Sequence, residues 1–280
     1  MPYPEPERIA RTALVSFPRS GNTLTRSLVE ATTHFQTSSL YCDTKLRHHF
    51  IGECDHKNPF LLKTHYPVNA LRRYNSSQTH WCSFDRFLYV TRNPWDAIWS
   101  YFHFRRSEGN HTARIEHITT LQWRHRRDVM WFIKKYKLHA AYWAAVPLPS
   151  HHMRYEDLRG DTFVTFLPAL RFLMDDPTRR PSVPQILCGI QQTEAASTEA
   201  YASRKHDTFY AYDKFTMALK KLILTELEEY ICRFGYAYML EQHLAGKPQY
   251  AQDPRPNCQK RETSTTFAIV EEGRDMVVVQ

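Results

Sequence analysis

The segment TALVSFPRSGNTLTRSLVE, from Thr12 to Glu30, decides the fold of this chain. It begins with an apolar run typical of a β-strand and ends with apolar side chains at helical spacing, and Gly21 marks the bend between them. A strand–loop–helix junction of this kind points backbone N–H groups and the positive end of a helix at one spot, where an anion is the natural ligand. Arg19 adds donors that match phosphate oxygens.

The loop Arg19–Thr23 is not a Walker A sequence. That motif requires a Lys directly after its second Gly, whereas Asn22 follows Gly21 here. Ser20 and Thr23 still offer hydroxyl groups to an anion. The alternative is an ordinary turn in which Asn22 or Thr23 caps the helix, and the loop alone leaves both interpretations open.

Three further strands are predicted downstream, each followed by polar residues. The predicted strands are Phe60–Lys63, Arg86–Thr91 and His151–Tyr155. Their alternation with helices predicts an α/β fold, a three-layer αβα arrangement around a central parallel sheet. Ligands of such sheets bind beyond the carboxyl ends of the strands, so we expect the polar segments to form one site.

Helices are predicted from apolar spacing and cap residues. Asn93 can cap a helix that starts at Pro94 and carries Asp96 in its first turn. Four more helices are predicted over Asp128–Val146, Thr162–Met174, Ser182–Gln192 and Tyr212–Phe234, the last one ended by Gly235. Residues 1–245 are expected to form one domain, and 246–280 a linker and tail whose final residues form a small hairpin or an edge strand.

Composition and charge narrow the class of protein. A hydrophobic fraction of 42% excludes wholesale disorder, and the net charge of +8 suits an anionic ligand. The six cysteines form no C-x-x-C pair, so a zinc site is not predicted. Cys42 and Cys54 can bridge in an oxidising compartment, but free buried thiols are expected. No signal peptide or apolar run of membrane-spanning length is present, so a cytoplasmic protein is expected, with the Golgi lumen as the alternative if an anchor is missing from this sequence.

Four segments, in this order, resemble the signature segments of sulfotransferases that use 3′-phosphoadenosine 5′-phosphosulfate (PAPS): SFPRSGNT, LLKTHYP, LYVTRNPWDAIWSYFHF and MRYEDL. The resemblance runs from about Leu14 to Lys205 and implies the P-loop NTPase-like sulfotransferase fold. The segments YCDTKLRHHFIGECDHKNPFLLKTH and ILCGIQQTEAAS are similar to the branch that in animals accompanies a WSC domain, although the WSC module itself is not recognised in this sequence.

The resemblance implies roles for individual residues. The loop from Arg19 would hold the 5′-phosphosulfate, Arg92 and Ser100 the 3′-phosphate, and Tyr155 the adenine. Ser100 as an ordinary polar helix position and Tyr155 as a core aromatic residue are the alternatives. The donor-binding residues implied are Arg19, Ser20, Gly21, Asn22, Thr23, Leu24, Arg92, Ser100, Tyr155, Arg204 and Lys205, where His206 stands in place of the Gly that relatives carry after Arg-Lys.

The same resemblance implies the catalytic residues. His65 would be the base that takes the proton from an acceptor hydroxyl, since an imidazole with an ordinary pKa of about 6.5 can do so near neutrality. Lys63 alternates to the same side of an extended strand as His65, and together with Arg19 it would neutralise charge on the transferring group. A solvated Lys at the sheet rim is the alternative for Lys63. No metal is expected, because a sulfuryl group carries less negative charge than a phosphoryl group.

The predicted function is therefore in-line sulfuryl transfer from PAPS to an acceptor hydroxyl, a carbohydrate by preference, with a small alcohol, a phenol or tyrosine as alternatives. A P-loop-type kinase or NTPase and a non-catalytic nucleotide-binding relative are the rival interpretations. Nucleic acid is not an expected partner, because the basic cluster at Trp123–Arg127 is accompanied by no known reader motif. The sequence does not predict an oligomeric state.

Overall fold

The computed structural model describes residues 10–55, 59–68, 84–106, 126–199, 208–258, 268–272 and 275–279. The strands are β1 (Thr12–Ser16), β2 (Thr37–Ser39), β3 (Leu61–Thr64), β4 (Arg86–Thr91), β5 (Ser150–Arg154), β6 (Ala268–Glu272) and β7 (Asp275–Val279). The helices are α1 (Asn22–Thr33), α2 (Pro94–Arg106), α3 (Arg126–Ala145), α4 (Tyr155–Gly160), α5 (Thr162–Leu173), α6 (Val183–Glu199), α7 (Met217–Arg233) and α8 (Tyr236–Leu244).

The central sheet has five parallel strands in the order β2-β3-β1-β4-β5 and is flanked by helices. Near the carboxyl end of β1, Val15 is paired with Thr64 of β3, and Ser16 with Val90 of β4. The three central strands are buried along their whole length, which is typical of a parallel sheet covered on both faces. The predicted α/β class is confirmed, and the register brings the ends of β1, β3 and β4 to the same edge.

The chain forms two compact units. The first holds the five-stranded sheet with α1, α4, α5 and most of α6, and its described residues lie within 10–16, 21–90 and 147–196. Its core joins side chains of β1, β3 and β4 to those of α1, α5 and α6. The second unit holds α2, α3, α7 and α8, together with the short segment Phe17–Ser20.

The predicted helix over Tyr212–Phe234 is wrong in part. A single 3-10 turn covers Tyr212–Lys214, and α7 begins only after Thr216, whose hydroxyl accepts the N–H of Leu219 at 3.4 Å. Gly235 has φ of 76° and ends α7, as predicted, but α8 follows it directly. The strand β2 was not predicted, whereas the terminal hairpin β6–β7 confirms one of the two arrangements expected for the tail.

The expectation of free thiols at Cys42 and Cys54 is wrong. A turn brings their Cα atoms to 4.4 Å, and the two residues form a disulfide. A second disulfide joins Cys232 of α7 to Cys258, and Cys188 is an exposed free thiol. The ion pair of Lys220 with Asp253, at 2.7 Å, also fastens the segment before Cys258 to α7. The domain boundary at residue 245 stays a prediction.

Candidate functional site

The loop after β1 has two residues in the left-handed backbone conformation and leads into a helix N-terminus without a side-chain cap. Arg19 and Gly21 have positive φ values of 69° and 102°, and Gly21 is the N-cap of α1. No side chain makes a cap hydrogen bond at this terminus, so the interpretation in which Asn22 or Thr23 caps the helix does not hold. The first N–H groups of α1 are therefore the kind of donors that bind anions.

Two buried polar atoms lie in this loop. The Oγ atom of Ser20 and the Oδ1 atom of Asn22 have no hydrogen-bond partner among the described residues, although Ser20 is 0% and Asn22 only 5% exposed. The Nδ2 atom of Asn22 donates to Ser16 Oγ at 2.5 Å. A buried hydroxyl without a partner is costly, and a phosphate or sulfate oxygen would satisfy the hydroxyl of Ser20. The loop therefore has the features of an anion-binding site.

Tyr155 lies against the loop. It is the first residue of α4, directly after β5, and a Cβ atom added to Gly21 would lie 2.6 Å from the Cδ2 atom of Tyr155. The positive φ of Gly21 and this close approach both require glycine at the position. Tyr155 also packs against the core of the first unit, as does Leu24, so both residues have a structural role in addition to the one predicted.

The ring of His65 is held by the end of β1. Its Nδ1 atom lies 2.7 Å from the backbone oxygen of Ser16, and because a carbonyl oxygen only accepts, Nδ1 must donate. In the neutral ring the lone pair then belongs to Nε2. His65 is 8% exposed and Lys63, two residues before it, is 7% exposed, so Lys63 is not a solvated residue of the sheet rim.

The second unit brings three predicted residues together. The Nε atom of Arg19 donates to Ser100 Oγ at 3.3 Å, and a terminal nitrogen of Arg92 donates to the backbone oxygen of Arg19 at 2.8 Å. Arg92 follows β4, and Ser100 lies in the second turn of α2. Two guanidinium groups and a hydroxyl in one cluster form a site that suits an anion with several oxygens.

Asp96 anchors the segment that follows Arg204 and Lys205. Its carboxylate accepts from the backbone N–H groups of Phe209 at 3.1 Å and Ala211 at 2.9 Å. Burial raises the pKa of Asp96, against the opposing effect of the Arg92 charge. The backbone N–H of Asp96 donates to Asn93 Oδ1 at 3.0 Å, which confirms the predicted cap. Arg204 and Lys205 themselves lie outside the described residues.

The structure therefore places the predicted residues in two sets. Lys63, His65, Gly21–Leu24 and Tyr155 belong to the first unit, and Arg19, Ser20, Arg92 and Ser100 belong to the second. Sequence reasoning missed Ser16, which acts through its backbone oxygen, and Tyr41, which stacks on His65 with ring centroids 5.7 Å apart. A backbone contact leaves no sequence signal, and Tyr41 lies in a stretch without periodicity.

In the parts of the chain that the structure describes, no cluster of three or more His, Cys, Asp or Glu residues has the arrangement of a metal site. Across those same residue ranges, no helix has the length and apolar character needed to cross a bilayer.

Comparison with known proteins identifies the family and the fold. A family model described as a sulfotransferase domain matches residues 10–179. The crystal structure of mouse sulfotransferase SULT7A1 complexed with PAP is similar, with a TM-score of 0.52 and 14% identity over 84% of this chain and 88% of that chain. A structure of retinol dehydratase in complex with androsterone and the inactive cofactor PAP has a TM-score of 0.47 and 15% identity, over 81% and 82% of the two chains. At such identities the likeness to SULT7A1 shows the fold alone.

Proposed function

This chain belongs to the sulfotransferase domain family, whose model matches residues 10–179, and on that premise we propose that it transfers a sulfuryl group from PAPS to an acceptor hydroxyl. The observation that carries the proposal is the loop after β1. There the N-terminus of α1, which no side chain caps, directly follows Ser20 with its buried, unsatisfied hydroxyl.

The donor-binding residues follow from this assignment. The backbone N–H groups of Gly21–Leu24, the Ser20 hydroxyl and Arg19 bind the 5′-phosphosulfate. Arg92 and Ser100 bind the 3′-phosphate, and their hydrogen bonds with Arg19 in the second unit support that role. Tyr155 contacts the adenine, supported by its position against Gly21. Arg204 and Lys205 are proposed for the 3′-phosphate on the resemblance alone.

His65 is the proposed base. PAPS supplies the sulfuryl group, and the bond between its sulfur and the 5′-phosphate oxygen breaks, so that 3′-phosphoadenosine 5′-phosphate (PAP) is the leaving group. The Ser16 carbonyl keeps the proton of the neutral imidazole on Nδ1, so Nε2 is the atom that accepts the proton of the acceptor hydroxyl. Lys63 and Arg19 offset the negative charge that develops on the leaving oxygen. Positioning and electrostatics then supply most of the rate enhancement.

The acceptor and the compartment are also proposed. We favour a carbohydrate, supported by the net charge of +8 and by the resemblance to the branch associated with WSC domains, with small alcohols, phenols and tyrosine as alternatives. The two disulfides support an oxidising compartment such as the Golgi lumen, since structural disulfides are rare in the cytosol.

Titration calorimetry with PAP, in the presence and absence of EDTA, tests the donor site. We expect binding that EDTA does not weaken. Sulfuryl transfer is tested with radiolabelled PAPS and four acceptors, which are a glycosaminoglycan, a mucin, 4-nitrophenol and a tyrosine peptide. Binding without any transfer would favour a non-catalytic relative, Mg²⁺-dependent ATP hydrolysis would favour a kinase or NTPase, and no PAP binding would contradict the proposal.

A further inference from the structure

Tyr41 contacts both the backbone and the ring of His65, and we propose that it is the positioning residue for this base. The proposal rests on the function assigned above, in which His65 accepts the proton of the acceptor hydroxyl. Tyr41 itself is not assigned a proton-transfer step. Its role is to hold the imidazole in the single orientation in which Nδ1 donates to Ser16.

The sheet places Tyr41 beside His65. Ser39, the last residue of β2, is paired with Lys63 of β3, and the N–H of Leu40 donates to the Lys63 oxygen at 3.1 Å. The hydrogen bonding between β2 and β3 therefore continues for one residue past the end of β2, and Tyr41 is the residue that follows. Its own N–H donates to Ser39 Oγ at 3.1 Å, which fixes the turn away from the strand.

Two contacts join Tyr41 to the base. The backbone N–H of His65 donates to the Tyr41 hydroxyl oxygen at 2.6 Å, and the two rings stack at 15° between their planes with centroids 5.7 Å apart. The hydroxyl also lies 3.3 Å from Thr64 Oγ1, which accepts the N–H of Tyr66 at 3.1 Å. The imidazole is thus held on its face by Tyr41 and at Nδ1 by Ser16.

Tyr41 is itself fixed from the far side. Cys42 follows it and forms the disulfide with Cys54. The N–H of Asp43 donates to Glu53 Oε1 at 2.9 Å, and the other oxygen of Glu53 forms a fully buried ion pair with Arg26 of α1 at 2.7 Å. The backbone that follows Tyr41 is therefore anchored, and its hydroxyl contacts His65 and Thr64, so the ring is placed to restrict its neighbour.

The test is NMR of the histidine rings in the full-length chain grown with isotope-labelled histidine. The signals of His65 are assigned by their loss in His65→Gln, and the variants are Tyr41→Phe, Tyr41→Leu and, as a control, the exposed Tyr238→Phe. We expect one tautomer, protonated at Nδ1, in the wild type and in Tyr238→Phe. Tyr41→Leu should show exchange between tautomers, and Tyr41→Phe should retain the stacking and show a smaller change.

Transfer and binding are measured on the same samples. With the acceptor that the wild type labels most strongly, kcat should fall about fivefold in Tyr41→Phe, the effect of one lost hydrogen bond, and further in Tyr41→Leu, while the Kd for PAP stays at the wild-type value. Thermal unfolding identifies any variant that fails to fold. If Tyr41→Leu does not fold, the kcat and the His65 tautomer of Tyr41→Phe decide whether Tyr41 has the positioning role.

Three results would have distinct meanings. An unchanged His65 tautomer and an unchanged kcat in a folded Tyr41→Leu protein overturn the positioning role. A fall in kcat with an unchanged ring spectrum overturns it too, because Tyr41 would then act on something other than His65. If the wild type neither binds PAP nor transfers sulfate, the proposed function fails, while the ring spectra still report whether Tyr41 orients His65.

Discussion

The Nδ1 atom of His65 lies 2.7 Å from the backbone oxygen of Ser16, the last residue of β1. The proposed base is therefore oriented by a peptide carbonyl and not by an acidic side chain, so its orientation does not depend on the ionisation of a partner. The side chain of Ser16 accepts from Asn22 of α1 at 2.5 Å. A single residue thus links the imidazole to the helix whose N-terminus is the proposed phosphosulfate site.

Replacing His65 by Gln should abolish most of the turnover and leave donor binding intact. Loss of a general base typically lowers kcat by a factor of about 10²–10⁴, whereas His65 is not among the residues proposed to bind the donor phosphates. Radiolabel transfer and PAP titration measure the two effects. The exposed His48→Gln is the matched control, and wild-type turnover in His65→Gln would show that another group is the base.

Gly21→Ala should weaken PAP binding and destabilise the fold. A side chain at φ of 102° costs roughly 1–3 kcal/mol, and the added Cβ would lie 2.6 Å from the Tyr155 ring. Gly160→Ala is the control, because a Cβ atom there meets nothing within 4 Å. Thermal unfolding and calorimetry with PAP are the measurements, and equal behaviour of the two variants would contradict the requirement for glycine at position 21.

Arg92→Lys should raise the Kd for PAP although the charge is kept. Lys lacks the planar set of donors and loses the bond to the Arg19 oxygen, and charge-assisted hydrogen bonds of this kind correspond to about tenfold to a hundredfold in affinity. The exposed Arg171→Lys is the matched control. A Kd for Arg92→Lys equal to that of the wild type would remove Arg92 from the donor site.

Both disulfides should form when the chain is produced in an oxidising compartment of eukaryotic cells. Peptide mapping without reduction should find Cys42 linked to Cys54 and Cys232 linked to Cys258. The double variant Cys232→Ser/Cys258→Ser should lose roughly 3 kcal/mol of stability and unfold at a lower temperature. Cys188→Ser, at an exposed free thiol, should unfold like the wild type. Complete alkylation of all four bridging cysteines without a reductant would contradict the pairing.

Stability should fall as the pH drops below neutrality. Burial lowers the pKa of His49, helped by the positive charges of His48 and Arg26, and burial also lowers the pKa of His151. A histidine with a lowered pKa binds its proton more readily in the unfolded chain, so its stabilising contribution is complete above the ordinary pKa of about 6.5 and is lost as the pH falls below it.

Thermal unfolding of the wild type and of His49→Gln at about pH 7.5 and about pH 5.5 measures this effect. The decrease in Tm between the two pH values should be smaller in His49→Gln. Repeating the scans at high salt removes the contribution of exposed charges. An equal decrease in both proteins would show that His49 does not contribute to the pH dependence.

The parts of the fold that sequence reasoning found are those whose side chains are apolar and buried. Strands β1, β3 and β4 read as apolar runs, and Asn93 with Pro94 marked the start of α2. Strand β2 reads Thr-Ser-Ser, yet it is buried, and the polar groups of its first residue, Thr37, are satisfied by α1. The Thr37 hydroxyl accepts from Arg26 Nε at 2.8 Å and donates to Glu30 at 2.6 Å. Such partners come from tertiary structure and leave no local pattern.

The same limit applies to the candidate site. Arg19, His65 and Arg92 follow predicted strands, so sheet topology was enough to place them at strand ends. Tyr41 follows the strand that was missed, and Ser16 contributes a backbone atom. Cys42 and Cys54, which are twelve residues apart, both have positive φ, and spacing alone does not reveal the fold of the segment that brings them together.

The path of the chain restricts how the two units could be exchanged by recombination. The backbone leaves the first unit after Ser16, contributes Phe17–Ser20 to the second unit, and returns to the first at Gly21. Each unit is assembled from three separate stretches, so no single cut in the gene releases either one intact. Replacing one unit by a foreign module would interrupt the loop after β1, where the phosphosulfate site is proposed, so the two units are expected to be exchanged only together.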